Sequence, residues 1–158
     1  SSPSTGPRCC CSPPQGTTGR PVIAYIDSSV LLRVLFGQSN ALKEWKKIER
    51  GISSALIEVE CLRTLDRLRL VEGLAEEALA IRREAVFRLI QGLEVIELTH
   101  PVLARAAQPL PTTLGTLDAI HLATALMWKE QARENLVLAT HDTALALAAK
   151  ASGLSVVG

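Results

Sequence analysis

Apolar runs and polar breaks alternate along this chain in two periods, one close to 2 and one close to 3.6 residues. Residues 22–26 (VIAYI) form a short apolar run rich in β-favouring side chains, which predicts a buried strand. Asp27, Ser28 and Ser29 follow and can cap a helix over 30–36 that Gly37 stops. Asn40 can cap a second helix over 41–50. It would carry Leu42, Trp45, Ile48 and Glu49 on one side and Lys43, Lys46, Lys47 and Arg50 on another. Residues 52–53 read as a short strand, and a third helix runs from Ser54 to about residue 70. Gly73 separates it from a helix over 75–90 that ends at Gly92, and LEVIEL at 93–98 alternates as a strand. Residues 101–107 predict one or two helical turns before the Pro109/Pro111 loop, and Thr116 caps a helix from 117 to about 131. A strand over 136–139, a helix over 143–151 stopped by Gly153, and a strand over 154–157 close the chain. Strands alternating with helices predict an α/β sandwich around a mostly parallel sheet, without an internal repeat.

The first 21 residues break this pattern. They hold five of the eight prolines, three of the four cysteines and no acidic residue, so they predict a leader without a core of its own, ahead of one domain at 22–158. The chain begins with Ser1, and a tag, a trimmed start and a native extension all fit that stretch. Cys9, Cys10 and Cys11 are consecutive, which matches neither zinc-motif spacing nor a disulfide framework; Cys61, alone in an apolar helix, predicts a small buried hydrophobe. The 158 residues carry 17 basic and 16 acidic side chains; without Arg8 and Arg20 the remainder holds 15 basic against 16 acidic. That balance argues against a grip on nucleic acid by broad electrostatics, while leaving room for an acidic pocket with a local basic rim. No run is long and apolar enough to span a bilayer, and the leader lacks the apolar segment of a secretory signal, so a reducing cytoplasm is the default expectation.

The chemistry lies in four acids at or near strand–helix junctions: Asp27, Glu60, Asp118 and Asp142. A parallel sheet gathers its strand ends along one rim, so acids distant in sequence can meet there. Two carboxylates 4 Å apart repel by about 4 kcal/mol at an effective dielectric of 20, a penalty that a hard divalent cation removes. Taken singly, Asp27 and Asp142 read as helix caps and Asp118 as a first-turn acid favoured by the helix dipole. Capping does not explain Glu60, which lies inside a helix. Glu58 competes with it, since side chains two apart on a helix point about 200° apart and periodicity does not choose between them. Ser28, Ser29 and Thr140 suit either ligand orientation or turn capping. His121, one turn after Asp118, can orient that acid or sit satisfied at the core edge; His141 neighbours Asp142 but can point the other way, and His100 suits a loop. Arg63 suits phosphate binding or a pair with Glu60, against an ordinary solvated face, and Trp45 suits packing.

YIDSSVLLRVL, SSALIEVECLRTL, LDAIHLATAL and LATHDTALALAAKASGLSVV, in that order, resemble the segments of PIN-domain proteins, most of all the VapC-type toxins of bacterial toxin–antitoxin pairs. The resemblance covers residues 22–158. It implies a three-layer α/β/α fold and Mg²⁺- or Mn²⁺-dependent endoribonuclease activity, with Asp27, Glu60, Asp118 and Asp142 as the acidic set and Glu60 preferred to Glu58. It also implies an antitoxin partner and a homodimer. His141 stands where the family often has an aromatic residue, and Ala144 where it often has an arginine, which puts local substrate contacts in question. A haloacid-dehalogenase-like phosphatase would need a second Asp at position 29, where Ser29 stands, and a receiver-like phosphoacceptor would need an acidic pair before Asp27. The alternative of a different class is a PIN-like module that binds a partner without cutting.

Overall fold

The computed structural model describes residues 21–158, so the cysteine triplet and nearly all of the expected leader lie outside the described residues. The chain runs β1 (Val22–Ile26), α1 (Ser28–Leu35), β2 (Ile48–Ser54), α2 (Leu56–Glu72), α3 (Glu76–Gln91) and β3 (Leu93–Ile96). It continues through α4 (His100–Ala106), α5 (Thr116–Ala132), β4 (Val137–Ala139), α6 (Thr143–Ala151) and β5 (Ser155–Val157). The five strands form one sheet in the order β3-β2-β1-β4-β5, and all four pairings are parallel. Helices cover both faces, which gives the three-layer sandwich expected from the alternation of elements.

Strand β1 shows how the pattern of side chains makes the layers. Ile23 and Tyr25 face one core with Leu122, Ala125 and Trp128 of α5 and Leu145, Ala148 and Ala149 of α6. Ala24 and Ile26 face the other with Val30 and Leu31 of α1, Ile57, Cys61 and Leu65 of α2 and Val86 of α3. A central strand buried on both faces needs apolar residues at every position, which is why VIAYI has no polar alternation. Each fully buried Ile or Leu contributes about 1.5–3 kcal/mol relative to exposure. Cys61 is fully buried, and burial pushes its thiol to about 12, so it packs as a hydrophobe. Trp45 packs against the same core.

The helix expected over 41–50 does not form. A 3-10 turn occupies Lys43–Lys47, and β2 begins at Ile48, well before the expected strand at 52–53. Pairing with β1 overrides the local amphipathic signal: Val22, Ile23, Ala24 and Tyr25 align with Ile48, Arg50, Gly51 and Ile52. Gly51 has a packing reason as well, since a Cβ there would come 2.5 Å from the Leu93 side chain across the β2–β3 pair. The apolar side of that segment is as expected, with Leu42 buried and Trp45 and Ile48 packed on the core. His100, expected in a loop, is the first residue of α4, and LEVIEL pairs over its first four residues.

From β1 the chain moves to β2 and β3 on one side, then returns to β4 and β5 on the other. The gap between β1 and β4 is therefore a topological switch point, and crevices at such points form beyond the carboxyl ends of the strands. Asp27 follows β1 there, and Thr140 follows β4. No helix among the described residues is long and apolar enough to cross a membrane.

Candidate active site

Asp27 ends β1 and is 4% exposed. Its backbone N–H donates to the Ala139 carbonyl at 3.0 Å, which ties β1 to β4 just below the site. Its side chain does not cap α1. Instead Oδ2 accepts from Ser29 Oγ at 2.6 Å and from Thr140 Oγ1 at 2.8 Å. Two hydroxyls therefore hold one oxygen and leave Oδ1 facing His121, 4.0 Å from Nε2. Ser29 also accepts from the His141 backbone N–H, and Thr140 from that of Asp142, so the two strand ends are laced together. Ser28 opens α1 half-buried, and it is Ser29 whose hydroxyl reaches Asp27.

Glu60 enters from the second turn of α2 with its side chain 18% exposed, while Glu58 is exposed. The Ser54 hydroxyl accepts from the Leu56 N–H at the start of that helix and helps to set its direction. Glu60 Oε2 accepts from His121 Nε2 at 2.7 Å. His121 is fully buried, and its Nδ1 lies 2.8 Å from the Tyr25 hydroxyl. Of the two expectations for His121, orienting Asp118 or sitting satisfied at the core edge, the second fits what is observed: the ring is buried and its nitrogens are met by Tyr25 and Glu60. Asp27, Glu60 and His121 each offer a ligand atom within 4.8 Å of the others.

Asp118 lies in the first turn of α5, half-buried. Burial, then the charges of Asp142 and Asp27, push its carboxyl above the ordinary carboxylate range, with Glu60 adding and His121 opposing. Asp142 is exposed at the rim and does cap α6, accepting from the Leu145 N–H at 2.7 Å through Oδ1. The capping expectation is thus met at Asp142 and not at Asp27. For His121, burial acts downward, but the bond to Glu60 and the charges of Asp27 and Asp118 outweigh it and hold the imidazole above its ordinary value.

Arg63 does not join this cluster. It is 77% exposed and pairs with Asp66 at 3.2 Å, which fits the solvated-face reading and not the pair with Glu60. Among the described residues none of the four acids pairs with a lysine or arginine. The position of His141 is mixed: its backbone serves Ser29, while its buried Nε2 has no partner, and burial together with nearby Arg33 pushes the ring down. Tyr25 is the member the sequence did not single out. An aromatic residue in an apolar strand looks like core, and its spacing two before Asp27, on the same face of the strand, was the available signal.

The donor set is rich in carboxylate oxygen and, among the described residues, has no lysine or arginine partner, which fits a small divalent cation. The family model described as the PIN domain matches residues 24–151. Ribonuclease VapC47 of Mycobacterium tuberculosis (strain CDC 1551 / Oshkosh) is 32% identical over 120 residues, covering 75% of this chain and 83% of the relative. Ribonuclease VapC46 of M. tuberculosis (strain ATCC 25618 / H37Rv) is 34% identical over 136 residues, covering 84% and 95%. Among solved structures, a toxin–antitoxin complex from Klebsiella pneumoniae aligns with a TM-score of 0.59 at 18% identity, covering 78% of this chain and 89% of that one. VapBC2 from Rickettsia felis, bound to a DNA fragment from their promoter, aligns with a TM-score of 0.59 at 11% identity, covering 85% and 97%. At those identities the structural likeness speaks for the fold, and the sequence relatives speak for the family. The chain belongs to the PIN-domain family and, within it, to the VapC proteins.

Proposed function

We propose that the chain is an endoribonuclease that hydrolyses RNA phosphodiester bonds with a bound divalent cation, Mg²⁺ or Mn²⁺, and that it is the toxin of a toxin–antitoxin pair. One observation carries the metal dependence: Asp27, Glu60 and His121 converge within 4.8 Å at the switch point, and among the described residues no lysine or arginine pairs with the acids there. The ribonuclease names of the sequence relatives support the reaction, and the solved toxin–antitoxin complexes support the partner.

Asp27, Glu60 and Asp118 would hold the cation directly or through water, with Asp142 completing the pocket at its rim. The chemistry supplied there would be Lewis-acid polarisation of the scissile phosphate and activation of a water. The chain's own residues supply the preorganisation. Ser29 and Thr140 occupy one oxygen of Asp27, so the other is aimed inward before anything binds. Thr140 also accepts from the Asp142 N–H, which locks the turn that carries the fourth acid. Burial first, then the charges of Asp142 and Asp27, hold the Asp118 carboxyl above its ordinary range, and an added positive charge there would favour its ionisation.

Substrate access follows from the same rim. A groove of about 410 Å³ beside Ser29 has Arg33 and Arg82 among its walls, the local basic border that suits an RNA backbone next to an acidic centre. Val59, Leu70 and Val71 of α2 and Ile81 of α3 are exposed apolar residues and suit cover by protein, here the cognate antitoxin. A homodimer in the cytoplasm is the assembly and setting that go with this function. Purified protein freed of antitoxin will cleave RNA with Mg²⁺ or Mn²⁺ and stop in chelator, as read on denaturing gels. Cleavage that persists in chelator would refute the metal dependence.

A further inference from the structure

Tyr25 and His121 are both fully buried, with their rings edge to face at 75° and centroids 5.8 Å apart. Water does not reach them, so each polar atom must find a protein partner. The imidazole has two: the Tyr25 hydroxyl at 2.8 Å on Nδ1 and Glu60 Oε2 at 2.7 Å on Nε2. A phenol both donates and accepts, so it satisfies Nδ1 both in the neutral ring that carries its proton on Nε2 and in the imidazolium, and in both forms Nε2–H points at Glu60. Burial raises the Tyr25 phenol well above its usual range, so the hydroxyl keeps its hydrogen.

Phenylalanine would fill the same volume against Ile23, Ile52, Leu122 and Leu138. The hydroxyl is the part that core packing leaves unexplained. Tyr25 also stands two residues before Asp27 on β1. One strand therefore carries Asp27 directly and fixes Glu60 through the histidine, so two acids from distant elements share one reference.

We propose that Tyr25 is a positioning residue that acts through His121 to hold the Glu60 carboxylate in its cation-receiving orientation, an inference that rests on the metal-dependent reading above. The test is calorimetric titration of the full chain with Mn²⁺ alone, beside melting in chelator. Tyr25→Phe will weaken Mn²⁺ binding by about 10- to 100-fold, the usual effect of removing a group that orients a metal ligand. Saturating Mn²⁺ will return RNA cleavage to within a few-fold of wild type. His121→Gln supplies its own N–H for Glu60 and does not need the phenol, so adding Tyr25→Phe to it will cause no further loss. A purely packing role would lower the melting temperature in chelator and leave Mn²⁺ affinity unchanged. Wild-type affinity in Tyr25→Phe, or additive losses in the double variant, would overturn the positioning role while Asp27→Asn still abolished Mn²⁺ binding. If the wild-type chain binds no Mn²⁺, the metal-dependent reading fails first and this inference with it.

Discussion

Acidic side chains gather at two places on the sheet, and they are treated in opposite ways. Toward the amino ends of the strands, Glu94 of β3 meets Arg50 of β2 at 2.6 Å and accepts from the Trp128 indole N–H at 3.1 Å. Arg50 also reaches Glu134 at 3.3 Å and lies over the Trp128 ring, 5.2 Å from its centroid. The Trp128 bond first, and Arg50 second, hold the Glu94 carboxyl below its ordinary range. At the carboxyl ends, Asp27, Glu60 and Asp118 have no lysine or arginine partner among the described residues, and the Asp118 carboxyl is pushed up. One acidic group is neutralised by the chain itself and serves the fold. The other is left electrostatically open in a more buried place, where an unanswered charge costs more. Hydroxyls orient Asp27 without cancelling its charge, and the imidazole of His121, which is charged only when protonated, meets Glu60 in place of a permanent cation.

The comparison breaks most visibly at its strongest point. Asp27→Asn will lower RNA cleavage by on the order of 10³-fold while the domain keeps its helical circular dichroism, because the substitution removes charge and not shape. Cleavage at the wild-type rate would remove Asp27 from the centre. Glu60→Gln will cost roughly 10²-fold, whereas exposed Glu58→Gln will stay within about twofold. The reverse order would move the site to the other side of α2.

Some of this was legible before any coordinates and some was not, for reasons visible in individual residues. Asp27 and Asp142 stand at strand-to-helix junctions, where the change of period marks the position without tertiary knowledge. Glu60 was separated from Glu58 by family resemblance, since both lie on one helix and only packing decides which side is inward. For His121 the sequence offered a satisfied core-edge position or a bond to Asp118, and it did not offer Glu60, because periodicity sees neighbours on the same helix while the bond goes 61 residues back. Arg63 likewise has acids on its own helix at spacings that suit pairing, and it turned outward to Asp66. Residues 41–50 carry a real amphipathic stripe, yet the backbone ladder to β1 took Ile48–Ser54 as a strand. Sequence shows which residues are apolar or ionisable; it does not show which backbone groups compete for the same edge.

The two acidic groups also differ in sign against pH. Asp118 has a raised folded pKa, so the native chain binds more protons than the unfolded one from the ordinary value of 3.8 upward, and its contribution falls as pH rises through that window. His121 is raised as well: its stabilisation is complete below 6.5 and is lost as pH rises through the folded value. Glu94 runs the other way, stabilising above its unfolded pKa and losing that as pH falls through the lowered folded value. In chelator the melting temperature will therefore fall as pH rises above 3.8 through the Asp118 window and above 6.5 through the His121 window. Asp118→Asn will flatten the lower part of that slope, and Mn²⁺ will raise the melting temperature most at the alkaline end. A chelated protein that grows more stable across this range would show that the acids at the carboxyl rim are neutralised by something within the chain.

The smallest effect is expected at the other rim. Glu94→Gln keeps an oxygen for the Trp128 N–H and removes the charge opposite Arg50, both of which are well exposed. Exposed ion pairs contribute little once solvent screens them, so the melting temperature will move by no more than roughly 2 °C near neutral pH. The acid limb of the stability curve will lose the part that Glu94 supplied, and RNA cleavage will be unchanged within about twofold. A tenfold drop in cleavage would mean that the Arg50–Glu94–Trp128 cluster reaches the catalytic rim through α5, which carries both Trp128 and His121. The two acidic groups would then be ends of one device, and the contrast between a folded-in charge pair and an open binding centre would have to be given up.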